Sequence, residues 1–122
     1  MYWSSRRLHS GDEFRAVTRG GARSARSHVV VHLTLLTQEE EAPRVGFVVS
    51  KKIGNAVVRN RVTRRLREIV RPHLETLPAG SAIVLRALPG IEAQPFAELR
   101  EDVDSALASA SRKLARREER SR

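Results

Sequence analysis

The sequence predicts an α+β protein, a single small sandwich of helices on a sheet in the order α-β-β-α-β-α, with a possible extra short strand. Three observations predict it. Apolar residues alternate in two neighbouring segments, 28–36 and 44–50; they recur at helical spacing over 58–69 and 96–114; and a short apolar run, 81–88, lies between those helical segments. Leu, Ile, Val and Phe make up 32 of the 122 residues, enough for the core of one domain and above the level at which a charged chain stays disordered.

The first helix is expected over Ser10–Thr18. Ser10 suits the N-cap, Asp12 and Glu13 the first turn, Phe14 and Val17 share a face, and Gly20–Gly21 stop the helix. In the first strand Val29, Val31, Leu33 and Leu35 point one way, and His28, Val30, His32 and Thr34 the other. In the second, Val45, Phe47 and Val49 oppose Arg44, Gly46, Val48 and Ser50, and the acidic segment 38–43 reads as a solvated hairpin loop. Gly54–Asn55 then cap a helix whose stripe is Val58, Val62, Leu66 and Ile69, with Asn60, Arg64, Arg67 and Arg71 opposite and Arg61 and Arg65 flanking. Pro72 favours an end to that helix nearby. The run 81–88 reads as a third strand, and Phe96, Leu99, Val103, Leu107, Ala110 and Leu114 define the last helix. Residues 1–5 and 112–122 are expected to be flexible. Helices on one side of the sheet would leave its other face open, a common platform for single-stranded nucleic acid.

Composition narrows the function. Without cysteine there is no disulfide, thiolate metal site or cysteine nucleophile, which suits a reducing cytoplasm. The first residues lack the apolar centre of a signal peptide, and no apolar run is long enough to cross a bilayer, so neither export nor a membrane partner is expected. The charge of +9 and pI near 11.4 point to a polyanion. That charge is concentrated: between Lys51 and Arg71 eight basic residues face Glu68 alone, so this stretch carries a net +7. A solvated helix face interleaves acids with bases, whereas like charges this close repel by a few tenths of a kcal/mol per pair and call for an anion. Arginine dominates, and its planar fork matches phosphate oxygens and stacks on bases. The turn Ile53–Ala56, at a helix N-terminus, adds backbone N–H donors for a phosphate.

The segment from Ser50 to Arg65 reads S-K-K-x-G-N-A-V-x-R-N-R-x-x-R-R, through Lys51, Lys52, Gly54, Asn55, Ala56, Val57, Arg59, Asn60, Arg61, Arg64 and Arg65. It resembles the signature of the bacterial ribonuclease P protein family. Asp12–Phe14 in the first helix, Arg44–Gly46 and Val84–Ala87 agree with the same family, and the likeness runs over about residues 6–115. The resemblance implies a ribosomal-protein-S5-domain-2-like fold with a left-handed βαβ crossover, against the usual right-handed rule. It implies the protein subunit of an endoribonuclease whose catalysis is carried by its RNA, with no catalytic residues and no cofactor in this chain and Mg2+ working with the RNA subunit. It implies binding of the ribonuclease P RNA through Lys51, Lys52, Arg59, Asn60, Arg61, Arg64 and Arg65. A cleft for the precursor-tRNA 5′ leader is implied at Phe14, Val17, Thr18, Val30, His32, Val48 and Ser50. Family members often carry further aromatics where this chain has Thr18 and His32, which leaves Phe14 as the stacking ring and makes weaker leader stacking, or a share borne by His32, the expectation.

Other classes fit less well. A protein-only nuclease needs clustered carboxylates or paired histidines, but the acids fall in three separate segments and His9, His28, His32 and His73 have no ligand spacing. A ribosomal-protein-type RNA-binding module shares the charge and the small sheet but does not call for the full R-N-R-x-x-R-R helix. A helix-turn-helix DNA binder needs a helix just before the arginine-rich one, and a strand stands there, so no DNA partner is expected.

Overall fold

The alternating segments become strands because their β-branched residues can bury one row of side chains on each face of a pleated sheet. The structure, a computed structural model, describes residues 2–120. Its elements are α1 (Tyr2–Arg6), α2 (Gly11–Gly20), β1 (Ala22–Ala25), β2 (Val29–Leu35), β3 (Arg44–Val48), α3 (Ala56–Leu74), β4 (Ser81–Ala87) and α4 (Phe96–Arg120). Short 3-10 turns at Lys51–Ile53 and Ile91–Ala93 lead into α3 and α4. The sheet order is β1-β2-β4-β3, with β1–β2 and β2–β4 antiparallel and β3–β4 parallel. The α3 connection therefore joins two parallel neighbours.

The expected order holds, with three additions. The extra strand is β1, whose ARSA sequence shows no apolar alternation because its inward positions, Ala22 and Ser24, are small residues lying under α4. Residues expected to be loose at the N-terminus form α1, and α4 continues through the basic tail to Arg120; Met1, Ser121 and Arg122 lie outside the described residues. Pro72 sits inside the last turn of α3, which ends only two residues later, so its missing N–H costs one bond at a terminus.

One sheet face bears Val29, Val31, Leu33, Val45, Ile83 and Leu85 against the stripes of α3 and α4, in a single core that includes Leu66 and Leu99. Both leucines are fully buried, and shortening either to alanine would cost about 2–5 kcal/mol. The other face is not open as expected. Helix α2 crosses β2 and β4, and Val17 packs there with Leu8, Ala82 and Val84, bordered by Phe14, Leu36 and Val48. Both faces of the central strands are therefore covered, one by α3 and α4 and the other by α2.

Candidate nucleic-acid interface

Helix α3 presents the cationic surface. Asn55 caps it by accepting from the Val58 N–H at 3.0 Å, and Val62, Leu66, Ile69, Val70 and Leu74 fix its inner face in the core. The outer face is thereby held rigid. Lys51 and Lys52, on the 3-10 turn just before, are both exposed, as are Asn60, Arg61 and Arg64, while Arg59 and Arg65 are half-buried. Among the described residues the side chains of Lys51, Lys52, Asn60 and Arg64 make no hydrogen bond or ion pair, so their donors face solvent. Arg61 and Arg65 are partly engaged: their guanidinium groups donate to the carbonyls of Glu92 (3.4 Å) and Gln94 (3.3 Å), which ties α3 to the turn before α4. Each uses one terminal N–H in this and keeps others for phosphate.

The remaining two arginines of the helix have acquired aromatic partners that the sequence did not suggest. Arg67 lies 5.5 Å from the Trp3 ring centre and 5.9 Å from that of Phe47, and Arg71 lies 4.4 Å from Tyr2. Tyr2 also donates its hydroxyl to Glu75 at 2.9 Å. Helix α1 is thus docked on the C-terminal half of the α3 face, leaving the N-terminal half exposed.

Of the residues expected to form a leader cleft, Phe14, Val17 and Thr18 lie on α2 and Val48 borders the same cluster, but not all of them are exposed. The capping box of Ser10 and Glu13 fixes the start of α2, and Glu13 reaches on to Arg44 of β3 at 2.8 Å. Backbone N–H donation from His9, aided by Arg44 and Ser10, holds the Glu13 carboxyl below the usual range. Phe14 is half-buried, and its ring packs against β3 at Gly46 because that residue has no side chain: a Cβ there would stand 2.4 Å from the ring. Thr18 spends its hydroxyl on the Phe14 carbonyl at 3.0 Å. Val48 is half-buried beside Phe14, and Ser50 is exposed. Val17, by contrast, has no exposed surface, and Val30 and His32 are 3% and 5% exposed. These three lie beneath the surface, where no leader could touch them. Burial pushes the His32 pKa down, helped by the charges of Arg23 and Arg86, so the ring is neutral at pH 7. Arg23 pairs with His32 across β1 and β2, and Arg86 with Val30 across β2 and β4; both are exposed, and they add cations to this face that the motif did not include. Alternation along the 81–88 strand could have found Arg86, which shares a face with Ala82 and Val84, whereas Arg23 lies on β1, a strand that the sequence does not show.

Among the described residues no three His, Asp or Glu side chains gather as a metal site. The interface holds many donors, few acceptors and several rings, which suits RNA binding.

The sequence profile described as Ribonuclease P matches residues 4–111, which include α2, the whole sheet and the arginine face of α3. The chain belongs to the ribonuclease P protein family. Relatives named "Ribonuclease P protein component" include one from Salinispora tropica, 44% identical with 96% of this chain and 98% of that protein covered. Another, from Acidothermus cellulolyticus, is 45% identical over 88% and 89% of the two chains. Among solved structures, the RNase P protein of Staphylococcus aureus superposes with a TM-score of 0.75 at 27% identity, covering 85% of this chain and 94% of that one. That of Thermotoga maritima gives 0.69 at 26%, covering 88% and 96%. Membership makes the chain a protein component of the endoribonuclease ribonuclease P, with a role in tRNA processing, and agrees with the α+β fold.

Proposed function

We propose that the two cationic regions divide the labour within the ribonucleoprotein. Lys51, Lys52, Arg59, Asn60, Arg61, Arg64 and Arg65 bind the ribonuclease P RNA, and the cleft beside α2 holds the 5′ leader of precursor tRNA, with Phe14 as its stacking ring and Val48, Ser50, Arg23 and Arg86 around it. The observation that carries this reading is the N-terminal half of α3 with the turn before it, a rigid face on which Lys51, Lys52, Asn60 and Arg64 have no partner among the described residues and only Glu68 offsets the charge further along. Phosphates supply the missing countercharge. Thr18 supports that cleft through its bond to the Phe14 carbonyl, and Val17, Val30 and His32 support it from below.

In this reading the chain performs no bond cleavage. It positions a ribozyme on its substrate, and the Mg2+ ions that drive hydrolysis belong to the RNA subunit. Among the described residues no helix is long and apolar enough to cross a membrane, and the work is assigned to the cytoplasm, where tRNA is made.

The test is cleavage of precursor tRNA by ribonuclease P RNA at low Mg2+, with and without the protein, on substrates with and without a leader. The protein should stimulate cleavage, and more strongly when a leader is present. Equal rates with and without protein would reject the proposal; equal stimulation of both substrates would reject the leader cleft alone.

A further inference from the structure

Beside the outer edge of β3 lies a groove of about 470 Å³ for which the motif and the leader cleft account only in part, through Ala56, Arg59 and Asn60 and through Phe14. The N-terminal segment forms one wall: Arg7 bridges to Val45, and the Leu8 N–H donates to the Val45 carbonyl at 3.0 Å, so α1 is carried alongside β3 and onto α3. Trp3, Phe14 and Phe47 give the groove aromatic surface, and Arg7, Arg59 and Arg67 give it three cations. No carboxylate is among its lining residues. Arg67 is held in place over the Trp3 and Phe47 rings, and the Arg59 Nε is buried with no hydrogen-bond partner among the described residues. The exposed amide of Asn60 also lines the groove, a donor and acceptor suited to a base edge.

We propose that this groove is a binding site for one unpaired nucleotide of the ribonuclease P RNA, its base stacked on Trp3 and its phosphate held by Arg59 with Arg7 or Arg67. The volume lies within the range of small-ligand sites, and aromatic surface beside uncompensated arginines is the chemistry that takes a base and a phosphate together. The catalytic RNA is the source because five lining residues come from α3, whereas Phe14 alone is shared with the leader cleft. This rests on the assignment of α3 to the catalytic RNA and adds a site to it, at the docked helix α1.

Trp3 is the only tryptophan in the chain, so its emission reports on the groove directly. Adding ribonuclease P RNA to the full chain should quench Trp3 without a red shift, saturating together with the anisotropy of end-labelled RNA. Trp3→Ala should weaken RNA binding by roughly 5- to 100-fold, the effect of losing one stacked base, and Trp3→Phe should restore most of it. Because Trp3→Ala also removes packing on Phe47, a second variant keeps every ring in place: Ser4→Glu puts a carboxylate at an exposed position on the groove wall and should weaken binding and quenching together, while Ser4→Gln should do neither. Binding with unchanged Trp3 emission would overturn the groove and leave the α3 assignment standing. A red-shifted emission would show that α1 is displaced and would also overturn it, as would quenching by a leader oligonucleotide but not by ribonuclease P RNA. Absence of binding by anisotropy would overturn the groove and the α3 assignment alike.

Discussion

His32 shows how one residue reads differently once its neighbours are placed. In sequence it lies on the strand face opposite Val29, Val31 and Leu33 and could be a stacking ring; in the fold it is buried, its Nδ1 has no hydrogen-bond partner among the described residues, and Arg23 and Arg86 add positive charge nearby. An unfolded histidine takes up a proton near pH 6.5, whereas this one resists it, so below that pH the unfolded state binds more protons and stability falls as pH falls. Chemical denaturation should show a lower midpoint at about pH 5 than at pH 7, and His32→Leu should flatten that difference. Gly46 illustrates the reverse, a residue with no side chain that places one. Gly46→Ala should push the Phe14 ring outward at a cost of about 1 kcal/mol, the low end for overpacking because the ring's far edge can move. Thermal unfolding would measure that cost, and affinity for a leader oligonucleotide should fall with it.

Helix α2 owes its position to its first turn. The Ser10 hydroxyl accepts the Glu13 N–H at 3.1 Å, while Glu13 binds the His9 and Ser10 N–H groups and Arg44. Ser10→Ala should therefore cost about 1 kcal/mol in denaturant unfolding and loosen Phe14, weakening leader binding beyond what the stability loss explains. This helix, β2, β3, β4, the α3 stripe and the α4 spacing were all legible in the sequence, because each follows a period that apolar side chains enforce. Strand β1 and helix α1 were not. Strand β1 is Ala-Arg-Ser-Ala, buried through small residues beneath α4, and α1 is five residues held by Tyr2 and Trp3 against arginines far along the chain. The same limit applied to the site. Spacing showed which face of α3 is cationic, but only the fold shows that Arg67 and Arg71 sit under rings, that Arg61 and Arg65 lean on carbonyls, and that Val17, Val30 and His32 lie below the surface.

At the scale of the molecule, charge placement decides what binds where. The chain carries +9, and α3 with its preceding turn presents most of it on a surface made rigid by the core behind it. If each of the six cations proposed to meet the RNA, Lys51, Lys52, Arg59, Arg61, Arg64 and Arg65, neutralises one phosphate, the logarithm of RNA affinity should fall with the logarithm of salt concentration with a slope of roughly −4 to −5. The structure separates the contributors. Among the described residues Lys52 and Arg64 have no partner, so each is free to neutralise a phosphate and displace the RNA's counterions, whereas Arg71 already faces Tyr2 on the half of α3 covered by α1. The double substitution Lys52→Ala with Arg64→Ala should lower the steepness of that slope by about 1.5, while Arg71→Ala should leave it unchanged. Anisotropy titrations of labelled ribonuclease P RNA across a series of KCl concentrations measure both. An equal change in the two variants would mean that the whole length of α3, including the half beneath α1, meets the RNA.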